Sequence, residues 1–218
     1  MISSNDPHAG QPVLAYGAPL DKAQAADKAR AAMILVHGRG ANAEDIISLA
    51  EEFPLPGFAF LAPQAAGNTW YPQRFTAPLS ANQPWLDSAL AAIGRVLAQV
   101  QAAGIPPERT FLLGFSQGAC LALEYAARNP RRYGGLIGLS GGLIGPQVEP
   151  SRYPAGLAGT PVLLGCSDID PHIPQARVLE TARTLEQLGA VVDLRLYPGM
   201  GHTVNEDELE AIRGMLAA

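Results

Sequence analysis

The stretch Thr110-Phe111-Leu112-Leu113-Gly114-Phe115-Ser116-Gln117-Gly118-Ala119 decides the reading of this chain. Thr110–Phe115 is an apolar run of strand length. From Gln117 to Arg128 the apolar residues recur at helical spacing instead, so the period switches abruptly at Ser116. The two glycines flanking that serine answer a steric need, because side chains at 114 and 118 would collide with neighbouring backbone where a strand doubles back into a helix. A serine at the apex of so sharp a turn projects its hydroxyl out of the sheet, with adjacent amides aimed at whatever reacts there. Ser116 is therefore a candidate nucleophile.

Outward from this unit the same alternation repeats. Strand-length apolar runs occur at Val13–Tyr16, Met33–Val36, Phe58–Leu61, Leu136–Leu139, Val162–Leu164 and Val191–Tyr197. Several are continuous, as expected of strands covered on both faces. Helical spacing appears over Asn42–Phe53, Ser88–Ala103, Gln175–Leu188 and Glu206–Leu216; Asn205 is placed to cap the last of these. Strands alternating with helices predict an α/β chain with a mostly parallel sheet and helices on both faces. In such a sheet the functional residues lie just beyond the carboxyl ends of the strands. Residues 11–218 read as one domain, and residues 1–10 as a loose tail.

Composition narrows the classes. The chain has 218 residues. A chain of that length buries roughly two-thirds or more of its unfolded surface, so it needs no metal or disulfide to fold. Charged residues make up 16% of it. That is a low share for a soluble domain and argues against disorder. The net charge is −5 with no basic cluster, so nucleic acid is not an expected partner. No apolar run is long enough to predict a membrane span. Cys120 and Cys166 form no disulfide framework, and Met1–Gly10 lacks the features of a signal peptide. The cytoplasm is the expected location.

A serine nucleophile needs a base, and the base needs a group to hold its tautomer. Of the four histidines, His202 follows the run ending at Tyr197 and precedes the capped final helix, at the end of a strand where a base is required. Asp168 and Asp170 both follow the run Val162–Leu164, and spacing alone leaves either open as its partner. Pro171 holds Asp170 in an extended conformation, which favours it; Asp168 is the alternative, or ties the loop to nearby backbone. After Val36 comes His37-Gly38-Arg39-Gly40, a turn that presents backbone amides. The N–H groups of Arg39 and Gln117 are the candidate oxyanion donors, their side chains being incidental to that role.

Four ordered segments, Val36–Gly40, Gly114–Ala119, Asp168–Pro174 and Gly199–His202, together resemble the carboxylesterase/phospholipase branch of the α/β-hydrolases, which includes acyl-protein thioesterases. The resemblance implies an α/β-hydrolase fold and Ser116, Asp170 and His202 as a catalytic set. It implies cofactor-free cleavage of carboxylic esters, lysophospholipids or acyl thioesters, and it supports Asp170 over Asp168. Arg39, Cys166-Ser167 and Thr69–Phe75 depart from the family pattern near the expected pocket, which bears on substrate rather than mechanism.

The connection Pro63–Trp85 is longer than usual and rich in aromatics, so Trp70 and Tyr71, with Met200 beside the base, are candidate pocket residues. No other connection has room for a large cap, which predicts an accessible cleft and a small ester or thioester substrate. An Arg39 side chain at its rim would favour anionic substrates. Two alternatives share these residues: a non-catalytic binding protein on the same scaffold, and an amidase or peptidase.

Overall fold

In a computed structural model that describes residues 6–20 and 28–217, a seven-stranded sheet runs in the order β1-β3-β2-β4-β5-β6-β7. The strands are β1 (Val13–Gly17), β2 (Ala31–Val36), β3 (Phe58–Pro63), β4 (Thr110–Phe115), β5 (Gly135–Leu139), β6 (Pro161–Ser167) and β7 (Val191–Tyr197). β1 is antiparallel to its neighbour, β3, and the other pairings are parallel. The helices are α1 (Ala43–Ile47), α2 (Trp85–Ala102), α3 (Gln117–Arg128), α4 (Gln175–Gln187) and α5 (Glu206–Ala217).

Alternate residues of each central strand feed opposite cores, the period-two rule of a doubly covered sheet. Ile34, Val36, Leu112, Leu136 and Leu164 join the core that includes residues of α2, α3 and α4. Met33, Leu35, Leu113, Ile137 and Leu163 join Ile46 of α1 and Ile212 of α5 on the other face. Among the described residues no large cap covers the carboxyl edge, and the topology is the α/β-hydrolase arrangement that the resemblance implies.

Some boundaries differ from the sequence reading. The segment Asn42–Phe53 is not one helix: α1, closed by a reciprocal Asn42–Asp45 capping box, gives way to a 3₁₀ turn over Ser48–Glu52. α2 begins three residues earlier than its apolar spacing indicates, directly after Pro84. The loose tail expected over 1–10 is corrected for its second half (residues 1–5 lie outside the described residues). His8 is buried between Trp70 and Trp85, with ring centroids 5.3 Å from each. Its Nε2 donates to the Trp70 carbonyl at 2.9 Å and its Nδ1 accepts from the Ala66 amide at 3.0 Å. Asp6 adds contacts to the Ser88 hydroxyl and, at 3.0 Å, to Arg95. Residues 6–10 are thus a strap that pins the long connection after β3.

The start of α5 carries a buried acid. Asn205 and Glu208 cap each other: the Glu208 amide donates to Asn205 Oδ1 and the Asn205 amide to Glu208 Oε2, both at 2.9 Å. Glu208 Oε1 faces Gly165 without a hydrogen-bond partner among the described residues. Burial pushes this carboxyl up to about 7, against the opposing pull of the Asn205 amide. Between the ordinary value of 4.5 and about 7 the folded chain holds a proton that the unfolded chain has lost, so stability falls as pH rises through that window. Glu208→Gln removes this loss. The variant should be stabilised by about 2–3 kcal/mol near pH 8 and little changed near pH 5, read by urea unfolding at both. An equal shift at the two pH values would show that Glu208 ionises normally.

Candidate active site

The turn between β4 and α3 holds Ser116 at φ 55 and ψ −119 degrees. A non-glycine residue adopts so left-handed a conformation only when its surroundings enforce it. Enforcement comes from both sides. The Ser116 amide donates to the Leu139 carbonyl at 2.9 Å, and its own carbonyl accepts from the Cys120 amide at 3.0 Å. A Cβ at 114 would overlap the Gly118 backbone, and one at 118 would overlap the Val36 carbonyl. The glycine requirement inferred from the sequence is therefore a backbone-to-backbone contact between α3 and the ends of β4 and β2.

His202 lies on the loop between β7 and α5. Its Nε2 accepts from Ser116 Oγ at 2.9 Å, and its Nδ1 donates to Asp170 Oδ2 at 2.7 Å. The Asp170 side chain is fully buried, whereas the imidazole retains 19% exposure towards the cleft. Burial alone would raise the Asp170 carboxyl, but hydrogen bonds from His202 and from the amides of His172 and Ile173 outweigh it and hold the group below the usual carboxylate range. A carboxylate kept charged in this position fixes the Nδ1–H tautomer and leaves Nε2 free to accept a proton. Asp168 has a different partner: its Oδ1 accepts from the Gly199 amide at 2.8 Å, tying the loop that carries His202. Spacing left the two acids open; the geometry separates them.

Arg39 and Gln117 flank Ser116 in the cleft wall, and neither of their amides has a backbone acceptor among the described residues. Gln117 is the first residue of α3, so its N–H also carries the positive end of that helix. The loop that carries Arg39 is pinned by His37, which is fully buried: Nδ1 donates to the Gly38 carbonyl at 2.8 Å and Nε2 accepts from the Ala65 amide at 3.1 Å. Gly40, in the left-handed region, donates to the Asn68 carbonyl at 2.8 Å.

Beside Ser116 opens a cleft of about 470 Å³ with walls that include Tyr71, Phe75, Phe115 and Ile173. Of the three pocket residues expected from the sequence, only Tyr71 lines it. Trp70 is fully buried beneath the loop, donating from Nε1 to the His37 carbonyl at 2.8 Å between the rings of His8 and His37. Met200 contributes its carbonyl to the Ser167 hydroxyl, and its sulfur lies 3.0 Å from Asn205 Nδ2; both contacts hold the loop that carries His202. The Arg39 guanidinium is likewise committed, donating to the carbonyls of Tyr71, Pro72 and Gln73 at 2.8, 3.0 and 2.7 Å.

Two contributions had no sequence signal. The Gln117 side chain, expected to be incidental, clamps the cleft wall: Oε1 accepts from the Trp70 amide at 3.0 Å and Nε2 donates to the Tyr71 carbonyl at 2.8 Å. Phe115 and His172 flank the His202 ring, each with centroids 4.9 Å away. Both cysteines are buried, and burial pushes each thiol up to about 12, which keeps them protonated and unreactive at neutral pH.

Comparison with known proteins gives a consistent picture. The profile of the family described as Phospholipase/Carboxylesterase matches residues 22–218. A probable carboxylesterase of Oryza sativa is 29% identical over 91% of this chain and 81% of its own. Acyl-protein thioesterase 1 of Gibberella zeae is 35% identical, over 52% of this chain and only about half (49%) of its own length. The crystal structure of a phospholipase/carboxylesterase from Dyadobacter fermentans superposes with a TM-score of 0.89 at 43% identity, covering 95% of this chain and 97% of that one.

Proposed function

We propose that this chain, which belongs to the phospholipase/carboxylesterase family, hydrolyses carboxylic esters through a covalent acyl-enzyme on Ser116. Membership makes it a hydrolase of carboxylesterase type. The observation that carries the mechanism is the chain of contacts Ser116 Oγ to His202 Nε2 to Asp170, at 2.9 and 2.7 Å.

As Ser116 Oγ attacks the acyl carbon, its proton passes to His202 Nε2, and the imidazolium so formed is stabilised by the buried Asp170 carboxylate. The carbonyl oxygen becomes an oxyanion between the amides of Arg39 and Gln117. Donors already in place are worth about 2.7–4 kcal/mol each at that stage. Collapse breaks the bond to the leaving alkoxide, which takes the proton from His202 and departs as the alcohol. A water then gives a proton to His202 as it attacks the acyl-enzyme, and the second collapse frees the acid and restores Ser116. A thiolate leaving group needs no other residue, in keeping with relatives named acyl-protein thioesterases. Two unpaired thiols suit a cytoplasmic enzyme.

The test is pre-steady-state hydrolysis of p-nitrophenyl acetate. A burst of nitrophenol stoichiometric with enzyme, absent in Ser116→Ala, is the expected result; hydrolysis with equal rates in both proteins would defeat the assignment. The cleft, uncapped and about 470 Å³, also sets chain length. With p-nitrophenyl esters, kcat/KM should be highest at acetate to hexanoate and about tenfold or more lower at dodecanoate, since each methylene that finds no wall contributes no binding. A steady rise to the longest chain would contradict an open cleft.

A further inference from the structure

We propose that the cleft selects esters carrying an anionic group, a carboxylate or phosphate, a few atoms from the scissile bond, and that Arg74 is the residue that receives it; this rests on the reading of Ser116 as nucleophile. The charge pattern is the starting point. The chain as a whole has an excess of acids, with a net charge of −5, yet among the described residues lining the cleft there are two arginines, Arg39 and Arg74, and no Asp or Glu. Asp170, the acid that His202 contacts, has a fully buried side chain. The α3 N-terminus adds positive potential from the floor.

The two arginines are not equivalent. Arg39 spends its donors on three carbonyls and so is a fixed cation under the loop, bracing it rather than reaching for substrate. Ion pairs among the described residues engage Arg95, Arg128, Arg152, Arg177, Arg195 and Arg213, and none engages Arg74. Arg74 stands exposed at the cleft while its backbone is held firmly. Fully buried Asn82 accepts from the Gln73 amide at 2.7 Å and donates to the Arg74 carbonyl at 3.2 Å, and the next carbonyl, Phe75, accepts from the Gly145 amide at 2.8 Å. A guanidinium that no ion pair among the described residues engages, on a pinned segment of a cleft whose described lining holds no carboxylate, matches the planar two-oxygen geometry of carboxylate and phosphate.

The experiment compares background-subtracted kcat/KM for p-nitrophenyl hydrogen glutarate, a matched ester ending in a phosphonate, and neutral p-nitrophenyl pentanoate. Because each protein is its own reference, a general loss of activity cancels from the ratio. Wild type should favour at least one anionic ester about three- to tenfold, mostly through KM, with the preference shrinking as salt is added. The ratio should collapse towards unity in Arg74→Gln and persist in Arg74→Lys; the arm that responds identifies carboxylate or phosphate as the group received. No anionic preference in wild type, or a preference untouched by Arg74→Gln, would overturn the inference while leaving ester hydrolysis intact. Failure to cleave even the neutral ester would overturn the hydrolase reading beneath it.

Discussion

Ser116→Ala and His202→Ala should each lower kcat by about 10⁴–10⁶, and the double variant should be scarcely worse than either alone. The reason is physical. Without the imidazole the hydroxyl has no proton acceptor within reach, since the 2.9 Å contact to His202 Nε2 is its link to a base; without the hydroxyl the base has nothing to activate but water. Either loss removes the same step, so the costs do not add. Asp170→Asn should be severe as well, about 10⁴, because an amide at 2.7 Å from Nδ1 can donate to it and invert the tautomer. Residual rates above the uncatalysed reaction would come from the Arg39 and Gln117 amides. Steady-state kinetics on p-nitrophenyl acetate, with circular dichroism to establish that each variant is folded, reads the result. Strictly multiplicative losses would mean that the two side chains act in separate steps.

The second large effect lies away from the chemistry. Gly118→Ala should cost about 3 kcal/mol of stability and at least a hundredfold in kcat/KM. A methyl at 118 would overlap the Val36 carbonyl oxygen and sit 2.5 Å from that of His37, and both are backbone at the end of β2, with no side chain to rotate aside. Relief requires the first turn of α3 to lift away from the sheet. That movement would carry the Gln117 amide and Ser116 with it and pull the Gln117 side chain from Trp70 and Tyr71, so oxyanion donor, nucleophile and cleft wall shift together. Gly40→Ala is the contrast: its Cβ would meet nothing within 4 Å, so any cost there comes from its positive φ alone. Denaturant unfolding alongside kcat/KM separates the two. A Gly118→Ala protein as stable and active as its parent would mean that the close approach of α3 to β2 is not needed.

The fold was legible because its signal is local and continuous. Each predicted strand corresponds to an observed one, and α3 has the bounds read from its spacing, because doubly buried strands and an amphipathic helix leave periods that no tertiary contact needs to create. The departures fall where one residue's role depends on a distant partner. Trp70 and Tyr71 are adjacent on the long loop after β3, and composition cannot say which of the two lines the cleft. His8 has no periodic pattern around it; what orders it is a slot between two tryptophans more than sixty positions away. Met200 lies close to His202 in sequence, but what it contributes is a carbonyl to Ser167 and a sulfur contact to Asn205, neither of which faces the cleft. Gln117 was identified for its amide and proved to use its side chain as well, since a long polar side chain beneath a loop finds whichever backbone groups the loop leaves unpaired. Asp168 and Asp170 lie two positions apart on one loop, and only the folded chain shows that one carboxylate meets the Gly199 amide and the other the imidazole.

Covalent labelling probes the alignment of these groups most directly. A fluorophosphonate phosphonylates a serine only when a neighbouring base removes its proton, so intact-mass and peptide mass spectrometry of the treated protein report on Ser116, His202 and Asp170 together. One adduct per chain, on Ser116, formed in wild type and slowed by at least a hundredfold in His202→Ala, is the predicted result. Labelling of wild type and His202→Ala at the same rate, or an adduct on any other serine, would contradict it.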